Sequence, residues 1–294
     1  MAGFGRLITA MVTPFKDDMS IDFDKTAKLA LYLLKNGSDA ILLHGTTGES
    51  PTLSHDEEYE LYRVVKKVVG TKCKVIAGTG SNSTATSVKS TIEAEKIGVD
   101  GAMIVVPYYN KPSQEGLYQH FKAIADNTKL PLIIYNIPGR TGINMLPETV
   151  ARISKIKNYV GLKDAAGNID QTSAVINLCP PDFVVWSGDD SLTLPMMSVG
   201  AVGVISVASH VVGNEIASMI AAYHSGNNKK AKEIHLRLLP IFKALFITAN
   251  PTPVKAALEM IGMSVGIPRL PLISVNKQEK EIIKKALTGL GLIK

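Results

Sequence analysis

Short apolar runs alternate along this 294-residue chain with longer segments whose apolar positions recur every three or four residues. Eight runs rich in Val, Ile and Leu come before residue 210: RLITAMV (6–12), DAILLHG (39–45), CKVIAGTG (73–80), GAMIVVP (101–107), LPLIIYN (130–136), YVGLK (159–163), FVVWSG (183–188) and VGVISV (202–207). Continuous apolar runs are typical of parallel strands that are buried on both faces, and the periodic segments between them predict helices.

Eight such strand–helix units within about 225 residues predict an α/β fold of the (β/α)8 TIM-barrel type. An open doubly wound sheet is the alternative, since its strands have the same character. Ser54, with Glu57 three residues later, predicts a capping box at the start of one helix.

After residue 226 the pattern changes to helices without strands, over about 231–247, 252–262 and 276–289. We therefore predict two domains, a catalytic barrel over 1–226 and a small C-terminal helical domain over 227–294. The second segment has twelve basic and four acidic residues, which could indicate a nucleic-acid partner. Its lysines follow amphipathic helical patterns without interleaved aromatic residues, so a solvated helix face is the favoured interpretation and no nucleic acid is expected.

One long segment without charged residues, 191–214, has the composition of a membrane span. Pro195, His210 and Asn214, with several serines and glycines, favour instead a buried helix followed by a buried strand, and we expect no membrane partner. Arg6 interrupts the N-terminal apolar stretch, which argues against a secretion signal.

The residues that hold metals, disulfides and dinucleotides are not found in the required patterns. Cys73 and Cys179 are far apart with no Cys/His cluster, which indicates buried thiols in a reducing compartment and a cytoplasmic protein. AGTGSNS (77–83) follows a strand, but Ser83 stands where a dinucleotide loop has its third glycine or alanine. The six histidines lack metal-ligand spacing. We expect no cofactor and no metal site.

Polar side chains cluster where the apolar runs end. They are Thr46 and Thr47 after the second run, Tyr108 and Tyr109 after the fourth, Tyr135 and Arg140 with the fifth, and Lys163 at the end of the sixth. In a barrel these positions open onto one rim, which is where active sites of this fold lie.

Lys163 is the unusual member, because an ammonium group at the end of a buried strand costs free energy. Partial burial favours the neutral amine, which can attack a ketone and form a Schiff base. A salt bridge to a neighbouring acid such as Asp164 explains the residue equally well. Tyr135 could carry protons for Schiff-base chemistry, although a tyrosine at a strand end is more often a packing residue.

Two groups at these strand ends could bind carboxylates. The GTTG turn offers threonine hydroxyls and backbone N–H groups, although glycine-flanked turns are common. Arg140 offers a planar guanidinium for a second carboxylate, or is a surface loop arginine.

Several motifs together resemble the dihydrodipicolinate synthase family, in the family's order and along essentially the whole chain: GTTGES, PYYNKPSQEGLYQHF, LIIYNIPGRTG, GLKDAAGN, GVISV and NPTPVK. YYNKP and YNIPGRTG are the specific parts, whereas the GTTGE motif and the strand-end lysine are shared by the wider superfamily of pyruvate-dependent lyases. The resemblance implies a class I (Schiff-base) aldolase-type lyase. This enzyme would condense pyruvate with L-aspartate-4-semialdehyde, early in diaminopimelate and lysine biosynthesis.

The resemblance also implies roles for individual residues. Lys163 would form the Schiff base, Tyr135 would donate and accept the proton, and Thr46 and Tyr109 would complete a proton relay. Tyr109 is expected to reach in from a neighbouring subunit of a homotetramer, a dimer of dimers. Contacts to the substrates are implied for three further residues: Thr47 and Ile205 to pyruvate, and Arg140 to the carboxylate of the semialdehyde.

A departure concerns feedback inhibition by lysine. Members that lysine inhibits carry a histidine and an acid where this chain has Glu58 and Thr86. The other residues of that allosteric pocket fit the family's pattern, namely Ser50, His55, Asn82 and Tyr108. We therefore expect no strong sensitivity to lysine.

Two other functions compete with the synthase. Another pyruvate-dependent aldolase, such as an N-acetylneuraminate or keto-deoxy sugar acid lyase, would need hydroxyl partners rather than a guanidinium for its acceptor. A non-catalytic barrel that binds keto acids would form no covalent adduct.

Overall fold

A computed structural model describes residues 3–294. The strands over that range are β1 (Leu7–Ala10), β2 (Ala40–Leu43), β3 (Lys74–Gly78), β4 (Gly101–Val105), β5 (Leu132–Asn136), β6 (Tyr159–Asp164), β7 (Val184–Ser187) and β8 (Gly203–Ser206). The helices are α1 (Phe23–Lys35), α2 (His55–Val69), α3 (Thr84–Ile97), α4 (Gln114–Ala125), α5 (Pro138–Thr141), α6 (Pro147–Ile153), α7 (Ile169–Leu178), α8 (Thr193–Ser198), α9 (Ser209–His224), α10 (Asn228–Ala244), α11 (Thr252–Met260) and α12 (Lys277–Gly289). Short 3-10 helices cover Ser50–Thr52 and Asp190–Leu192.

The eight strands form a closed barrel in the order of the chain. Parallel pairing is seen from β3 through β8 and between β1 and β2. The prediction of a (β/α)8 barrel is confirmed, and the open doubly wound alternative is wrong. The helical C-terminal region is confirmed too, since only α10, α11 and α12 follow α9 within the described residues.

Contacts within the chain divide it into two compact units. The first unit consists of the described residues up to Arg6 together with Lys74–Ile205, and the second of Leu7–Cys73 together with Ser206–Lys294. The domain boundary predicted between residues 226 and 227 lies between α9 and α10, inside the second unit, and it stays a prediction.

In the first unit, tight packing around β6 shows why small residues are needed there. A Cβ on Gly161 would lie 2.4 Å from the carbonyl oxygen of Val184 and 2.6 Å from the ring of Trp186. The Trp186 ring is fully buried, and its indole N–H donates to the carbonyl oxygen of Gly5 at 3.1 Å. A side chain at 161 would push the β7 backbone away from β6.

In the second unit, α10 contacts α9 and α12, and α11 also contacts α12. Each helix buries an apolar stripe, with residues such as Leu238, Leu258 and Leu287 fully covered. At the start of α2, Ser54 and Glu57 form the predicted capping box, which typically stabilises a helix by about 1 kcal/mol. Among the helices between residues 3 and 294, none has both the length and the apolar character needed to cross a membrane.

Candidate active site

Lys163 lies near the C-terminal end of β6, in the first unit. Its backbone is in register with Tyr135 of β5 on one side and Trp186 of β7 on the other. The side chain is 6% exposed, and its Nζ lies 4.2 Å from the centroid of the Tyr135 ring. The amine is therefore enclosed by strands and by an aromatic face. The prediction of a nucleophilic amine requires such burial.

Burial lowers the pKa of Lys163 from 10.5 to about 8. The buried Asp190 carboxylate acts in the opposite direction and raises this pKa, whereas the Arg140 guanidinium lowers it further. With a pKa of about 8, roughly one lysine in ten is neutral at pH 7. A neutral, desolvated amine is the nucleophilic form of lysine.

The alternative in which Asp164 pairs with Lys163 is wrong. Successive side chains of a strand point to opposite faces, and the Asp164 carboxylate accepts from the Thr172 hydroxyl at 2.7 Å and from the Ala166 N–H at 3.0 Å. Within residues 3–294, no carboxylate forms a salt bridge with Lys163. Burial, with no salt bridge to offset it, therefore makes the amine easier to deprotonate, although the Asp190 carboxylate acts against this effect.

Arg140 lies on the short helix α5, which follows β5 directly. Its side chain is exposed and forms no ion pair within the described residues, although its charge is felt at Lys163. The backbone that carries it is held by Asn136, whose Oδ1 accepts from the Met145 N–H at 3.1 Å and whose Nδ2 donates to Asn144 at 2.8 Å. A guanidinium without a partner, on a fixed support, is suited to binding a carboxylate.

Tyr109 is displayed at the surface of the loop after β4. The side chain is 88% exposed and its backbone has a φ of 74°, a strained value for a tyrosine. The loop is nevertheless held on both sides, since the Tyr109 N–H donates to the carbonyl oxygen of Thr141 at 3.3 Å and the Asn110 side chain donates to that of Asn82 at 2.9 Å. The structure thus presents this ring to the outside of its own chain.

Ile205 lies on β8, at the end of the first unit, and is fully buried. Of the predicted site residues in this unit, the structure brings Lys163 and Tyr135 into contact and Arg140 within electrostatic range. Tyr109 is held by the α5 segment through its backbone.

In the second unit, Thr46 and Thr47 form the turn after β2. The turn closes through backbone hydrogen bonds from Gly48 to the carbonyl oxygen of Gly45 at 3.0 Å and from Glu49 to that of Thr46 at 3.1 Å. Thr47 is buried, and its hydroxyl accepts from the Asn250 side chain at 2.9 Å.

Glu49 continues this turn with a φ of 58° and a buried carboxylate. Its Oε1 lies 2.6 Å from Nζ of Lys255, and its Oε2 accepts from the backbone N–H of Arg269 at 2.8 Å. Lys255 also donates to the carbonyl oxygen of Ile267 at 3.2 Å and lies over the Phe15 ring. A residue in an unusual backbone conformation is thus held by a buried ion pair.

The candidate allosteric residues fall in both units. In the second unit, Glu58 is buried, with His44 Nε2 2.7 Å from one carboxylate oxygen and His55 Nδ1 3.1 Å from the other. His44 also lies 3.3 Å from the carbonyl oxygen of Ser50. The first unit carries the other two candidates, Asn82 and Tyr108, together with Thr86, which like Glu58 departs from the pattern of lysine-inhibited members.

Three residues near the predicted positions were missed from the sequence: Asp190, Glu49 and Asn250. Asp190 follows β7 in WSGDD, so a search for acids after every apolar run would have found it. Glu49 adjoins the threonines in GTTGE and could have been found in the same way. Asn250 is more than two hundred residues from Thr47 in the chain, and no local pattern signals their hydrogen bond.

His210, the most buried histidine of the described residues, has a structural role as a hydrogen-bonding partner of the backbone. Its Nε2 accepts from the Val12 N–H at 3.1 Å and its Nδ1 donates to the carbonyl oxygen of Val207 at 2.8 Å. Burial lowers its pKa to about 4, so it is neutral at pH 7. Among residues 3–294, no group of three or more His, Cys, Asp or Glu residues is arranged to hold a metal ion.

The chain was compared with known proteins. The model of the dihydrodipicolinate synthetase family matches residues 3–290. A 4-hydroxy-tetrahydrodipicolinate synthase from Desulforamulus reducens is 55% identical over 291 residues, which are 99% of this chain and 98% of the relative. Among solved structures, a dihydrodipicolinate synthase from Bacillus anthracis has a TM-score of 0.96 at 51% identity, covering 98% of this chain and 99% of its own. One from Cyanidioschyzon merolae, crystallised with lysine bound, has a TM-score of 0.97 at 49% identity, covering 99% of both chains.

Proposed function

Because the chain belongs to the dihydrodipicolinate synthetase family, we propose that it is a lyase that condenses pyruvate with L-aspartate-4-semialdehyde, in the biosynthesis of diaminopimelate and lysine. The observation that carries this proposal is Lys163, a buried amine with a lowered pKa and no salt bridge among residues 3–294.

In the proposed reaction, the neutral Lys163 amine attacks the keto carbon of pyruvate. The resulting carbinolamine loses water and becomes a Schiff base, in which the protonated imine draws electrons from the methyl group. Loss of a methyl proton gives an enamine, whose carbon attacks the aldehyde and forms the new carbon–carbon bond. Attack of the semialdehyde's own amino group on the imine carbon then closes the ring and expels Lys163 as a free amine.

Proton transfer in these steps is assigned to Tyr135, whose ring is in contact with Nζ of Lys163. Thr46 and Tyr109 are assigned to a relay that exchanges these protons with solvent. We assign Tyr109 to the site of a neighbouring subunit in a homotetramer, a dimer of dimers. The exposure of its ring on a fixed loop supports this assignment.

The two substrate carboxylates are assigned to different groups. Thr47 binds that of pyruvate through its hydroxyl and the N–H groups of its turn, and Ile205 provides an apolar contact. Arg140, exposed and without an ion-pair partner in the part of the chain described, binds the carboxylate of the semialdehyde.

A cytoplasmic location is also proposed. Cys73 and Cys179 are both free thiols, and free thiols are usual in proteins of a reducing compartment.

Weak feedback inhibition by lysine is also proposed. In the second unit the Glu58 carboxylate already has His44 and His55 as neighbours, at 2.7 and 3.1 Å. Lysine titrated into the assay at millimolar concentration is expected to leave most of the activity. Strong inhibition would contradict this proposal and show that Glu58 can replace the residue that lysine-inhibited members carry at its position.

Borohydride reduction in the presence of pyruvate tests the proposed chemistry. Reduction should add a pyruvate-derived mass to the peptide that contains Lys163 and leave the peptide with Lys255 unchanged, since Lys255 is equally buried but paired. Consumption of pyruvate should then depend on added L-aspartate-4-semialdehyde. Turnover with sugar aldehydes alone would indicate a different aldolase, and an unmodified Lys163 would indicate a non-catalytic keto-acid-binding protein.

A further inference from the structure

The segment NPTPVK (250–255) supplies two side chains to the turn after β2, and neither has a role in the chemistry above. Asn250 donates from Nδ2 to the Thr47 hydroxyl oxygen, and Lys255 pairs with Glu49. The turn is therefore held on both sides of Gly48 by one segment of the second unit.

The direction of the Asn250–Thr47 hydrogen bond determines what the hydroxyl can do. A threonine hydroxyl has one proton to donate and two lone pairs with which to accept. The Asn250 N–H occupies a lone pair, and Thr47 makes no other side-chain hydrogen bond within residues 3–294. Its proton is thus uncommitted and can be donated to an acceptor such as a carboxylate oxygen.

The direction of the Asn250–Thr47 hydrogen bond matters because both side chains are buried. Thr47 is 3% exposed and Asn250 is 5% exposed, so bulk water does not readily replace a lost partner. The Asn250 Oδ1 is buried without a hydrogen-bond partner among the described residues.

The rest of the turn gives the hydroxyl little freedom to move. The Thr13 hydroxyl donates to the carbonyl oxygen of Gly48 at 2.6 Å. A Cβ on Gly48 would lie 3.1 Å from the backbone nitrogen of His44, so the backbone there is closely packed. Glu49, next in the chain, is fixed by Lys255.

We propose that Asn250 is a positioning residue, which holds the Thr47 hydroxyl with its proton directed away from the amide so that it donates to the carboxylate of pyruvate. This inference rests on the proposed function and adds to it a residue that touches neither substrate carbon nor reacting nitrogen. Asn250 acts only through Thr47, and this dependence is what can be tested.

A double-mutant cycle with Asn250→Ala and Thr47→Val measures the dependence, with KM for pyruvate and kcat determined separately. Each single variant should raise KM by about tenfold, the usual effect of a lost hydrogen bond to a charged group, and change kcat less. In the Thr47→Val background, Asn250→Ala should raise KM no further. Thr47→Ser, which keeps the hydroxyl, should recover most of the loss.

Asn250→Asp reverses the hydrogen bond, because an ionised carboxylate accepts the Thr47 proton. It should raise KM for pyruvate more than Asn250→Ala does. Asn276→Ala is the matched control: its side chain caps α12 of the same unit by accepting from the Glu279 N–H at 2.9 Å, so it should lower the melting temperature and leave KM unchanged.

The concentration of pyruvate that gives half-maximal borohydride trapping provides a second readout, independent of the semialdehyde. If wild-type Lys163 is trapped and the Asn250 variants have wild-type half-saturation, the positioning role is wrong and the proposed function stands. Effects of Asn250→Ala and Thr47→Val that multiply would equally overturn it. If wild-type Lys163 is not trapped at all, the proposed function itself fails.

Discussion

Lys163 in the first unit and Lys255 in the second are both buried, and burial lowers the pKa of both. Their surroundings differ. Lys255 lies 2.6 Å from the Glu49 carboxylate, which favours its charged form, and also donates to a backbone carbonyl oxygen. Lys163 has no salt bridge in the part of the chain described, and its Nζ lies 4.2 Å from the centroid of the Tyr135 ring.

The difference separates a structural lysine from a reactive one. A buried ammonium that is paired and hydrogen-bonded stays charged, and a charged amine has no lone pair for attack. A buried ammonium without a partner destabilises the fold and releases its proton more easily. Burial alone therefore does not mark a nucleophile, whereas burial without a partner does.

The largest expected effect comes from replacing each lysine with methionine, which keeps the length and removes the charge. Lys163→Met should abolish turnover, by about a thousandfold or more, and eliminate the pyruvate adduct. Lys255→Met should still form the adduct on Lys163. Steady-state assays and peptide mass spectra after borohydride reduction measure both, and an adduct on Lys163→Met would contradict the assignment.

The same two variants should change stability in opposite directions. Lys255→Met leaves the buried Glu49 charge uncompensated and should lower the free energy of unfolding by about 3 kcal/mol. Glu49→Gln combined with Lys255→Met removes both charges and should recover most of that loss. Denaturant titrations monitored by circular dichroism measure these changes, and a Lys255→Met variant as stable as wild type would show that the pair contributes little.

Lys163→Met should raise stability at pH 7. A pKa lowered from 10.5 to about 8 corresponds to about 3 kcal/mol of destabilisation. This cost is fully present below pH 8, where the amine is protonated in both the folded and unfolded states. It declines as pH rises from about 8 towards 10.5, because the folded state has already lost its proton while the unfolded state keeps it. The stability difference between variant and wild type should shrink over this pH range.

A smaller effect is expected from the charges around Lys163. The Asp190 carboxylate raises the pKa of Lys163, so Asp190→Asn should lower it and move the acidic limb of the kcat/KM profile to lower pH. Arg140→Met should move that limb to higher pH, since the guanidinium lowers the pKa. Shifts in the same direction for both variants would mean that at least one of the two residues does not act through its charge.

Much of the barrel follows from local rules. The continuous apolar runs mark strands covered on both faces, and each run lies on an observed strand or overlaps one. The Ser54–Glu57 capping box is a pattern within four residues and could be located directly. The strand-end positions of Thr46, Tyr135 and Lys163 also follow from the pattern, because a parallel barrel carries its polar groups where strands end.

The predicted function, unlike the fold, did not follow from periodicity. Chemistry at the strand ends suggested a Schiff base, and only the resemblance to a family named the substrates. Residue types and spacing left the role of Lys163 open between a nucleophile and a salt bridge with Asp164. The alternation of a strand resolves this, since it turns Asp164 towards Thr172 and away from the amine.

By itself, then, the sequence determined the fold class, the order of its elements and the strand ends that carry reactive groups, because these depend on short-range periodicity. Tertiary structure alone decided which charges have partners: Lys255 meets Glu49 across some two hundred residues of chain, and Asn250 meets Thr47 across a similar distance. Such pairings depend on the path of the folded backbone. They set whether a buried amine is held as a cation or left able to react.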